Sequence, residues 1–227
     1  LIYGIHAIMI KEYTEITSIL LEIEKRLKRS NIFISGAAHT YDPYSEDDAK
    51  SFIHKLSYKL AENNFIIVSG YGLGIGSIVI NGALDYKLNS NYQNLDDLLI
   101  LRPFAQIQSG KRTIPDISTN YRKEMISQAG IAIFLFGNKL DKGSIVNSNG
   151  MIEEFEICLS RNVIPIPIGC TGYISKELWG RITSDISKYY PNNHDLLDSF
   201  NIIGDSTKSI DEIIKATLRI IYLLQDI

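Results

Sequence analysis

The feature that most constrains this chain is an unbroken apolar run, Ile131 to Phe136, with turn residues at both ends. Gly130 precedes the run and Gly137 follows it, while the neighbouring stretches 121–125 and 151–155 have helix-like patterns. An apolar run without polar alternation, placed between helices, is typical of a strand buried on both faces of a parallel sheet. Open sheets of this kind bind ligands at the carboxyl ends of their strands. We therefore expect functional residues close to Gly137.

Composition excludes several classes of protein. The chain has 227 residues, 45% of them hydrophobic, and a formal net charge of -3. No run reaches the ~18 apolar residues of a membrane span, and the first residues lack a signal-peptide pattern. An acidic balance without a Lys/Arg stripe disfavours a nucleic-acid partner. Cys158 and Cys170 have no CxxC spacing, which favours reduced, semi-buried thiols in a cytoplasmic protein.

From Asn31 onward, short apolar runs alternate with amphipathic stretches. Strands are predicted at Ile32–Ile34, Phe65–Val68, Leu98–Leu101, Ile131–Phe136 and Val163–Gly169. Two prolines indicate either that the last strand lies at an edge of the sheet or that they mark a strand end. Helices are predicted at 45–63, 77–89, 174–187 and 210–224, and an irregular loop that could close over a site at 105–118. The alternation predicts an α/β fold, a Rossmann-like, doubly wound parallel sheet of about five strands.

The first thirty residues differ from the rest of the chain. A helix with one apolar face is predicted from Tyr13 to Leu27, with basic residues in its last turn. Residues 1–10 are apolar and strand-like, and they begin abruptly without an initiator Met. We therefore expect residues 1–30 to be a linker helix and the remnant of an upstream domain, and residues 31–227 to form one domain.

Two segments of small residues follow the first two strands. One is Ser35-Gly36-Ala37-Ala38, and the other contains Gly70, Tyr71, Gly72, Gly74 and Gly76. Glycine lets the backbone approach a phosphate closely, and the N–H groups of the following helix can bind it. The spacing departs from the G-x-G-x-x-G dinucleotide fingerprint, so a phosphate cradle and a simple tight turn are equally open. Side by side, the two segments would form a wide floor for an anion.

Four charged residues are candidates for contacts above this floor. Arg122 offers a planar fork suited to phosphate, and Lys139 offers a point charge after the central strand. Arg102 follows the third strand. Glu154, at the start of a helix, could accept hydrogen bonds from ribose hydroxyls. Taken singly, each cation also fits a solvated surface position, and Glu154 also fits a carboxylate that interacts with the helix dipole.

Three stretches of the chain resemble a known family. They are Tyr121-Arg122-Lys123, the strand Ile131–Phe136, and Gly150-Met151-Ile152-Glu153-Glu154-Phe155. They are similar to the Arg-Lys and G-T-x-x-E motifs of the lysine-decarboxylase-like, or LOG-like, Rossmann superfamily, whose nucleotide-cleaving enzymes use the corresponding Arg and Glu in catalysis. Here the Pro-Gly-Gly before the second motif is absent, and Met151 replaces its Thr. With these departures, the chain resembles the SLOG sensor branch of the superfamily, which is associated with sirtuin-like (Sir2) and TIR domains.

The resemblance covers residues 31–227 and implies a function. The ligand would be a cyclic ADP-ribose isomer, made by a TIR-domain partner during phage infection. Binding would rearrange a homo-oligomer, a tetramer or larger, and activate an upstream sirtuin-like NAD+ hydrolase in bacterial antiphage (Thoeris) defence. Residues 1–30 would then include the end of that hydrolase domain. The chain itself would be non-catalytic and would use no cofactor or metal.

The candidate ligand-binding residues are taken from the chemistry of the individual residues and from the family resemblance. They are Ser35, Gly36, Ala37, Gly70, Tyr71, Gly72, Gly74, Arg102, Arg122, Lys139 and Glu154. The alternative function is that of a LOG-type nucleoside-monophosphate N-glycosidase, a phosphoribohydrolase, with Arg122 and Glu154 in its catalytic site.

The missing Pro-Gly-Gly and Thr predict that the purified chain releases neither adenine nor nicotinamide from NAD or AMP. Chromatography of the reaction products checks this expectation. Base release that disappears in a Glu154→Ala variant would favour the N-glycosidase instead.

Overall fold

Five parallel strands form the centre of the fold in a computed structural model, which describes residue 10 and residues 12–90, 94–103, 114–191 and 194–225. The strands of the described part are β1 (Asn31–Ala37), β2 (Ile66–Ser69), β3 (Leu99–Leu101), β4 (Ile131–Phe136), β5 (Asn138–Asp141), β6 (Ser144–Asn147) and β7 (Ile164–Pro167). The main sheet runs β3-β2-β1-β4-β7, and β5 and β6 form a separate two-stranded sheet. The predicted doubly wound α/β fold is confirmed, with β7 at the expected edge.

Helices connect the strands and complete the chain. In the described residues they are α1 (Thr14–Lys28), α2 (Glu46–Glu62), α3 (Gly76–Leu88), α4 (Ile114–Ile126), α5 (Asn149–Ser160), α6 (Tyr173–Thr183), α7 (Ile186–Tyr189), α8 (Leu197–Gly204) and α9 (Ile210–Gln225). The predictions for α1, α2, α3 and α9 are confirmed to within one residue at each end. The predicted helix 174–187 is divided into α6 and α7, and α8 was not predicted. None of the described helices is long and apolar enough to cross a membrane.

The start of α2 shows how local sequence sets the boundary of an element. Ser45 is the N-cap residue, and its Oγ accepts a hydrogen bond from the backbone N–H of Asp48 at 3.1 Å. Glu46 and Asp47 also lie in the first turn, where the positive end of the helix dipole favours carboxylates. The cap predicted from Ser-Glu-Asp-Asp is therefore confirmed.

Strand β4 has the burial that its sequence predicts. None of its six residues has exposed surface. Phe134 packs edge-on against Phe155 of α5, with ring centroids 5.7 Å apart. Such aromatic pairs add roughly 0.5–1.5 kcal/mol beyond the burial of their surface. β4 also pairs with β1 along its whole length, up to Ala37 beside Phe136. The carboxyl ends of the two central strands therefore lie side by side.

A β-hairpin occupies a place where the sequence predicted only turns. β4 ends before Gly137, as the sequence predicted, but the expectation of a turn-rich segment at 144–150 is wrong, because β6 lies there and pairs with β5, with Lys139 opposite Val146. Lys142 and Gly143, between these strands, have φ angles of 48° and 83°. Positive φ at both central residues is the type I′ geometry, whose twist matches that of a two-residue hairpin. Short, exposed strands gave too little apolar alternation to reveal it.

Two further segments are more regular than predicted. Ser35 to Ala37 were expected in a turn, but they are the last residues of β1 because they continue to pair with β4. Residues 114–118 of the predicted loop belong to α4. Residues 105–113 of that loop lie outside the described residues.

The glycine-rich segment after β2 packs directly on the end of β1. A Cβ on Gly72 would lie 1.9 Å from the backbone oxygen of Gly36. A Cβ on Gly74 would lie 2.0 Å from the backbone oxygen of Ala38, and Gly74 has a φ of +69°. Rotation of a side chain cannot relieve a clash with main-chain atoms. Glycine is therefore required here by packing, whether or not a ligand binds.

Gly72→Ala is expected to destabilise the fold by ~1–3 kcal/mol or more, because overpacking typically costs that much. Gly180 of α6 is the matched control, because a Cβ there would meet nothing within 4 Å. Gly180→Ala should stabilise the chain by roughly 0.5–1 kcal/mol, since Ala is the better helix former. Urea unfolding of both variants measures the difference. Equal stabilities of the two variants would contradict the described packing.

Candidate functional site

A cluster of polar side chains forms near the carboxyl ends of β1 and β4. Its members come from three elements: Ser35 of β1, Thr119 and Arg122 of α4, and Glu153 and Glu154 of α5. After β1 the chain goes on to β2 on one side of the central pair, and after β4 it goes on to β7 on the other side. A crevice opens at such a switch point, and doubly wound folds bind their ligands there. The structure therefore brings three of the predicted site residues, Ser35, Arg122 and Glu154, together.

Glu154 is the buried centre of this cluster, with 7% of its surface exposed. Its Oε2 accepts a hydrogen bond from Ser35 Oγ at 2.6 Å, and its Oε1 accepts one from Arg122 Nε at 3.2 Å. Burial raises the pKa of the Glu154 carboxyl, while the Ser35 hydrogen bond and the Arg122 charge offset part of that rise. The ionised state of Glu154 therefore depends on both partners.

Arg122 contacts a second carboxylate, that of Glu153. Arg122 Nη1 donates to Glu153 Oε2 at 2.8 Å, and Thr119 Oγ1 donates to Glu153 Oε1 at 2.5 Å. Gly150 makes room for the guanidinium, because a Cβ at that position would lie 2.9 Å from Arg122 Nη2. Two consecutive carboxylates and one glycine thus fix the fork of Arg122 beside the start of α5.

Sequence reasoning missed Glu153 and Thr119 as members of the site. A signal for both was present. Glu153 directly precedes Glu154, and Thr119 lies three residues before Arg122, which places the two side chains on one face of a helix. The sequence could not show that the Glu153 carboxylate accepts hydrogen bonds from both Thr119 and Arg122.

Asn138 is a third residue that the sequence did not single out. Its fully buried amide accepts hydrogen bonds at Oδ1 from the backbone N–H groups of His39 (2.9 Å) and Thr40 (3.0 Å). Its Nδ2 donates to the carbonyl oxygen of Thr40 at 2.8 Å. Asn138 therefore holds the segment that follows β1 against the segment that follows β4. This fixes the rim of the crevice from both central strands.

The two small-residue segments lie in contact, as the sequence predicted. The backbone N–H of Ala38 donates to the carbonyl oxygen of Leu73 at 2.8 Å, and Tyr41 Oη donates to that of Gly74 at 2.7 Å. Gly36 and Ala37 end β1, the buried Gly70 follows β2, and Tyr71 is half exposed with a φ of 58°. The structure explains Gly72 and Gly74 by packing, and their contact with a phosphate stays a prediction.

Lys139 and Arg102 are not part of the cluster. Lys139 is exposed on β5, and its side chain has no hydrogen-bond or ion-pair partner in the described part of the chain. Arg102 follows β3, two strands away from β1, and its Nη1 donates to the carbonyl oxygen of Leu101 at 3.0 Å. Ligand contacts by these two cations stay predictions.

The cysteines are buried, free thiols. Burial raises the pKa of both, to about 11 for Cys170, and the nearby charge of Glu154 raises that of Cys158 further. The prediction of free thiols is confirmed for the described residues, but both side chains are buried rather than semi-buried.

Known proteins resemble this chain over nearly its whole length. The sequence profile of STALD, the Sir2- and TIR-associating SLOG family, matches residues 15–224. The chain is 40% identical over 225 residues to "NAD(+) hydrolase ThsA" of Cytobacillus dafuensis, covering 98% of this chain and 46% of that protein. It is 39% identical over 226 residues to "NAD(+) hydrolase ThsA" of Bacillus cereus strain MSX-D12, covering 99% and 46%. The chain thus spans less than half the length of these relatives, and its division at residue 30 stays a prediction.

The raised pKa of Glu154 predicts a pH-dependent stability. A carboxyl whose pKa rises on folding stabilises the fold most below its unfolded value of 4.5, and this contribution is lost as the pH rises through the folded value. Glu154→Gln removes the titration. The unfolding free energy of the wild type, relative to Glu154→Gln, should therefore fall as the pH rises from about 4.5, as measured by urea unfolding.

A second variant tests the cause. Ser35→Ala removes a hydrogen bond that lowers the pKa of Glu154, so the fall should move to higher pH. A difference between wild type and Glu154→Gln that is constant with pH would show that burial does not perturb this carboxyl.

Proposed function

Because the chain belongs to the Sir2- and TIR-associating SLOG family, we propose that it is the regulatory sensor domain of an NAD+ hydrolase. The proposed ligand is a cyclic ADP-ribose isomer from a TIR-domain protein. Its binding activates a sirtuin-like hydrolase domain of the same polypeptide in antiphage defence, and the sensor itself uses no cofactor. The relatives named above are NAD(+) hydrolases, and this chain matches less than half of their length, which supports a role for the chain beside the hydrolase activity.

The observation that carries the proposal is the fixed position of Arg122 at the switch point of the sheet. A cyclic ADP-ribose isomer presents a pyrophosphate and ribose hydroxyls. A guanidinium binds phosphate oxygens through parallel, charge-assisted hydrogen bonds. Each carboxylate oxygen can accept more than one hydrogen bond, so Glu154 can accept from a ribose hydroxyl while it keeps Ser35 and Arg122. The geometry therefore fits both parts of the proposed ligand.

Glu153 has a distinct role in this proposal. Its carboxylate bonds to Arg122 Nη1 at 2.8 Å, and 35% of its side chain is exposed. A phosphate needs N–H donors of the Arg122 guanidinium. Glu153 can turn toward solvent, which frees the N–H of Arg122 Nη1 for the phosphate. Ligand binding then exchanges one anion for another at Arg122. The guanidinium keeps an acceptor throughout, which avoids the cost of leaving a partly buried charge unpaired.

The N-glycosidase remains the second candidate because of Glu154. A buried carboxyl with a raised pKa, in contact with Ser35 and Arg122, is also what a general acid or base requires. The absent Pro-Gly-Gly and the Met151 substitution favour the sensor. Base release from NAD or AMP separates the two functions.

In the proposed mechanism the signal passes through subunit packing. Helix α1 has no buried residue, and Leu20, Leu21, Ile23 and Leu27 on it are exposed. An apolar face of this kind is stabilised when another surface covers it. The protein is proposed to be a homo-oligomer, a tetramer or larger, in the bacterial cytoplasm. Ligand binding changes the packing of that oligomer and so reaches the hydrolase domain.

Calorimetry of the chain against cyclic ADP-ribose isomers, ADP-ribose, NAD and AMP tests the proposal. We expect a cyclic isomer to bind most tightly. Arg122→Ala and Lys139→Ala should each weaken binding roughly 10- to 100-fold, because a charge-assisted hydrogen bond contributes about 1.5–3 kcal/mol. Arg122→Lys should also weaken it, since the planar fork is lost. Lys123→Ala, an exposed cation of the same helix, is the matched control and should bind normally.

Circular dichroism of the variants separates lost contacts from lost structure. Normal affinity of a folded Arg122→Ala variant would exclude Arg122 from the ligand site. The absence of binding by every cyclic isomer, with the wild type folded, would exclude the proposed function.

Glu153→Gln should strengthen binding of the same ligand. The amide keeps the size of the side chain but competes less well for Arg122, so a phosphate displaces it more readily. An increase of up to ~10-fold corresponds to ~1.4 kcal/mol, within the range for one charged hydrogen bond. Calorimetry measures the change. Weaker binding would show that Glu153 contacts the ligand rather than competing with it.

A further inference from the structure

A cavity of about 1000 Å³ opens at the opposite end of the sheet from Arg122. Gly130 and Val163, which directly precede β4 and β7, line it together with the end of α1 and the C-cap Arg161 of α5. The parallel strands begin at this cavity and end at the Arg122 cluster. Ser35, which contacts Glu154, lies beside Phe134, four residues after Gly130 and so roughly 13 Å along the strand from the cavity. The cavity is therefore a different place from the candidate ligand site.

Cations dominate the lining of this cavity. The lining residues of the described chain include Lys25, Lys28, Arg29, Arg161 and Lys188. Glu24 is the one carboxylate among these described lining residues, and it pairs with Lys28 at 2.7 Å. The whole chain has a net charge of -3, so its overall balance does not account for this local excess of positive charge.

Arg29 gives the strongest indication of a ligand. The residue is 4% exposed, and its Nη1 is buried without a hydrogen-bond partner in the described part of the chain. Its backbone is well held, because the N–H donates to the carbonyl oxygens of Lys25 and Arg26. The cations of a last helical turn normally stabilise the helix dipole from the surface. A buried N–H donor without an acceptor is costly, and native structures supply partners for such groups.

We propose that this cavity binds the phosphate group of a phosphorylated small molecule, with Arg29 as its buried contact. Parallel N–H donors of a guanidinium match phosphate oxygens, and Lys28, Arg161 and Lys188 add positive charge around them. Apolar lining residues such as Val163 leave room for the rest of the molecule. The volume is that of a site for a nucleotide-sized ligand. The shared chemistry is a phosphate or pyrophosphate group, either free or carried by a nucleoside.

Nuclear magnetic resonance titration of the Arg122→Ala chain with inorganic pyrophosphate, and separately with ADP, tests the proposal at constant ionic strength. The Arg122→Ala background removes the guanidinium of the other candidate site. We expect saturable shifts of the Gly130 and Asn162 amide signals, which belong to the cavity, and no shift of Gly36. Tighter binding of ADP identifies a nucleotide ligand, and equal affinities identify free phosphate groups.

Two further substitutions assign the site. Arg29→Met keeps the apolar stem without the charge and should weaken binding about 10- to 100-fold. Arg26→Gln is the matched control, because Arg26 is an exposed cation of the same helix that does not line the cavity. It should bind like the parent chain. No saturable shift, or equal weakening by both substitutions, would overturn the proposal.

Stability without phosphate provides an independent check. If the Arg29 guanidinium has no partner within the protein, Arg29→Met should keep or raise the Tm in phosphate-free buffer. A Tm lowered by several degrees would show that the guanidinium already has an internal acceptor. That result would also overturn the proposal.

Discussion

The pairing of β1 with β4 is the constraint on which the rest of the structure depends. Six consecutive residue pairs join the two strands, from Ile32–Ile131 to Ala37–Phe136, and β4 is fully buried. A shift of register would force every side chain into a space shaped for another one. The fixed register determines which residues lie beyond each end of the sheet. Ser35 and Asn138 therefore meet their partners near the carboxyl ends, and Arg29 lies near the amino ends.

The guanidinium groups at the two ends of the sheet differ in whether they have hydrogen-bond acceptors. Arg122 has acceptors in Glu153 and Glu154, whereas Nη1 of the more deeply buried Arg29 has none within the described residues. A buried ion pair is roughly neutral for stability, but a lone buried charge is strongly destabilising. Glu153 and Glu154 already pair with Arg122, so its proposed ligand rests on its position at the switch point of the sheet together with family membership. Arg29 is the reverse case, since its buried Nη1 has no acceptor in the described chain.

The parts of the structure that the sequence could predict are those set by local pattern. The apolar run Ile131–Phe136 identified β4 to the residue, and the order of elements predicted that Ser35, Arg122 and Glu154 would meet. Glu153 could not be assigned to Arg122 in this way, because the two lie 31 residues apart and pair only through the packing of α4 on α5. The hairpin after β4 is held by backbone hydrogen bonds between residues that, apart from Asn138 and Val146, are exposed, so it leaves no apolar pattern. From the sequence alone, Arg29 is indistinguishable from the exposed basic residues at the end of α1, and only the structure shows that it is buried.

Helix α5 contributes residues to both places, the Arg122 cluster and the cationic cavity. Glu153 and Glu154 lie near its start, and its C-cap Arg161 lines the cationic cavity. Buried residues between them, such as Phe155 and Cys158, pack the helix into the core, so any displacement must move it as one body. A ligand shifts such an equilibrium only by binding two positions of the helix with different affinities. Because coupling is reciprocal, a phosphate at Arg161 and a nucleotide at Arg122 would then alter each other's affinity by the same factor. The proposed sensor would thereby respond to a second phosphorylated molecule without any contact between the two ligands.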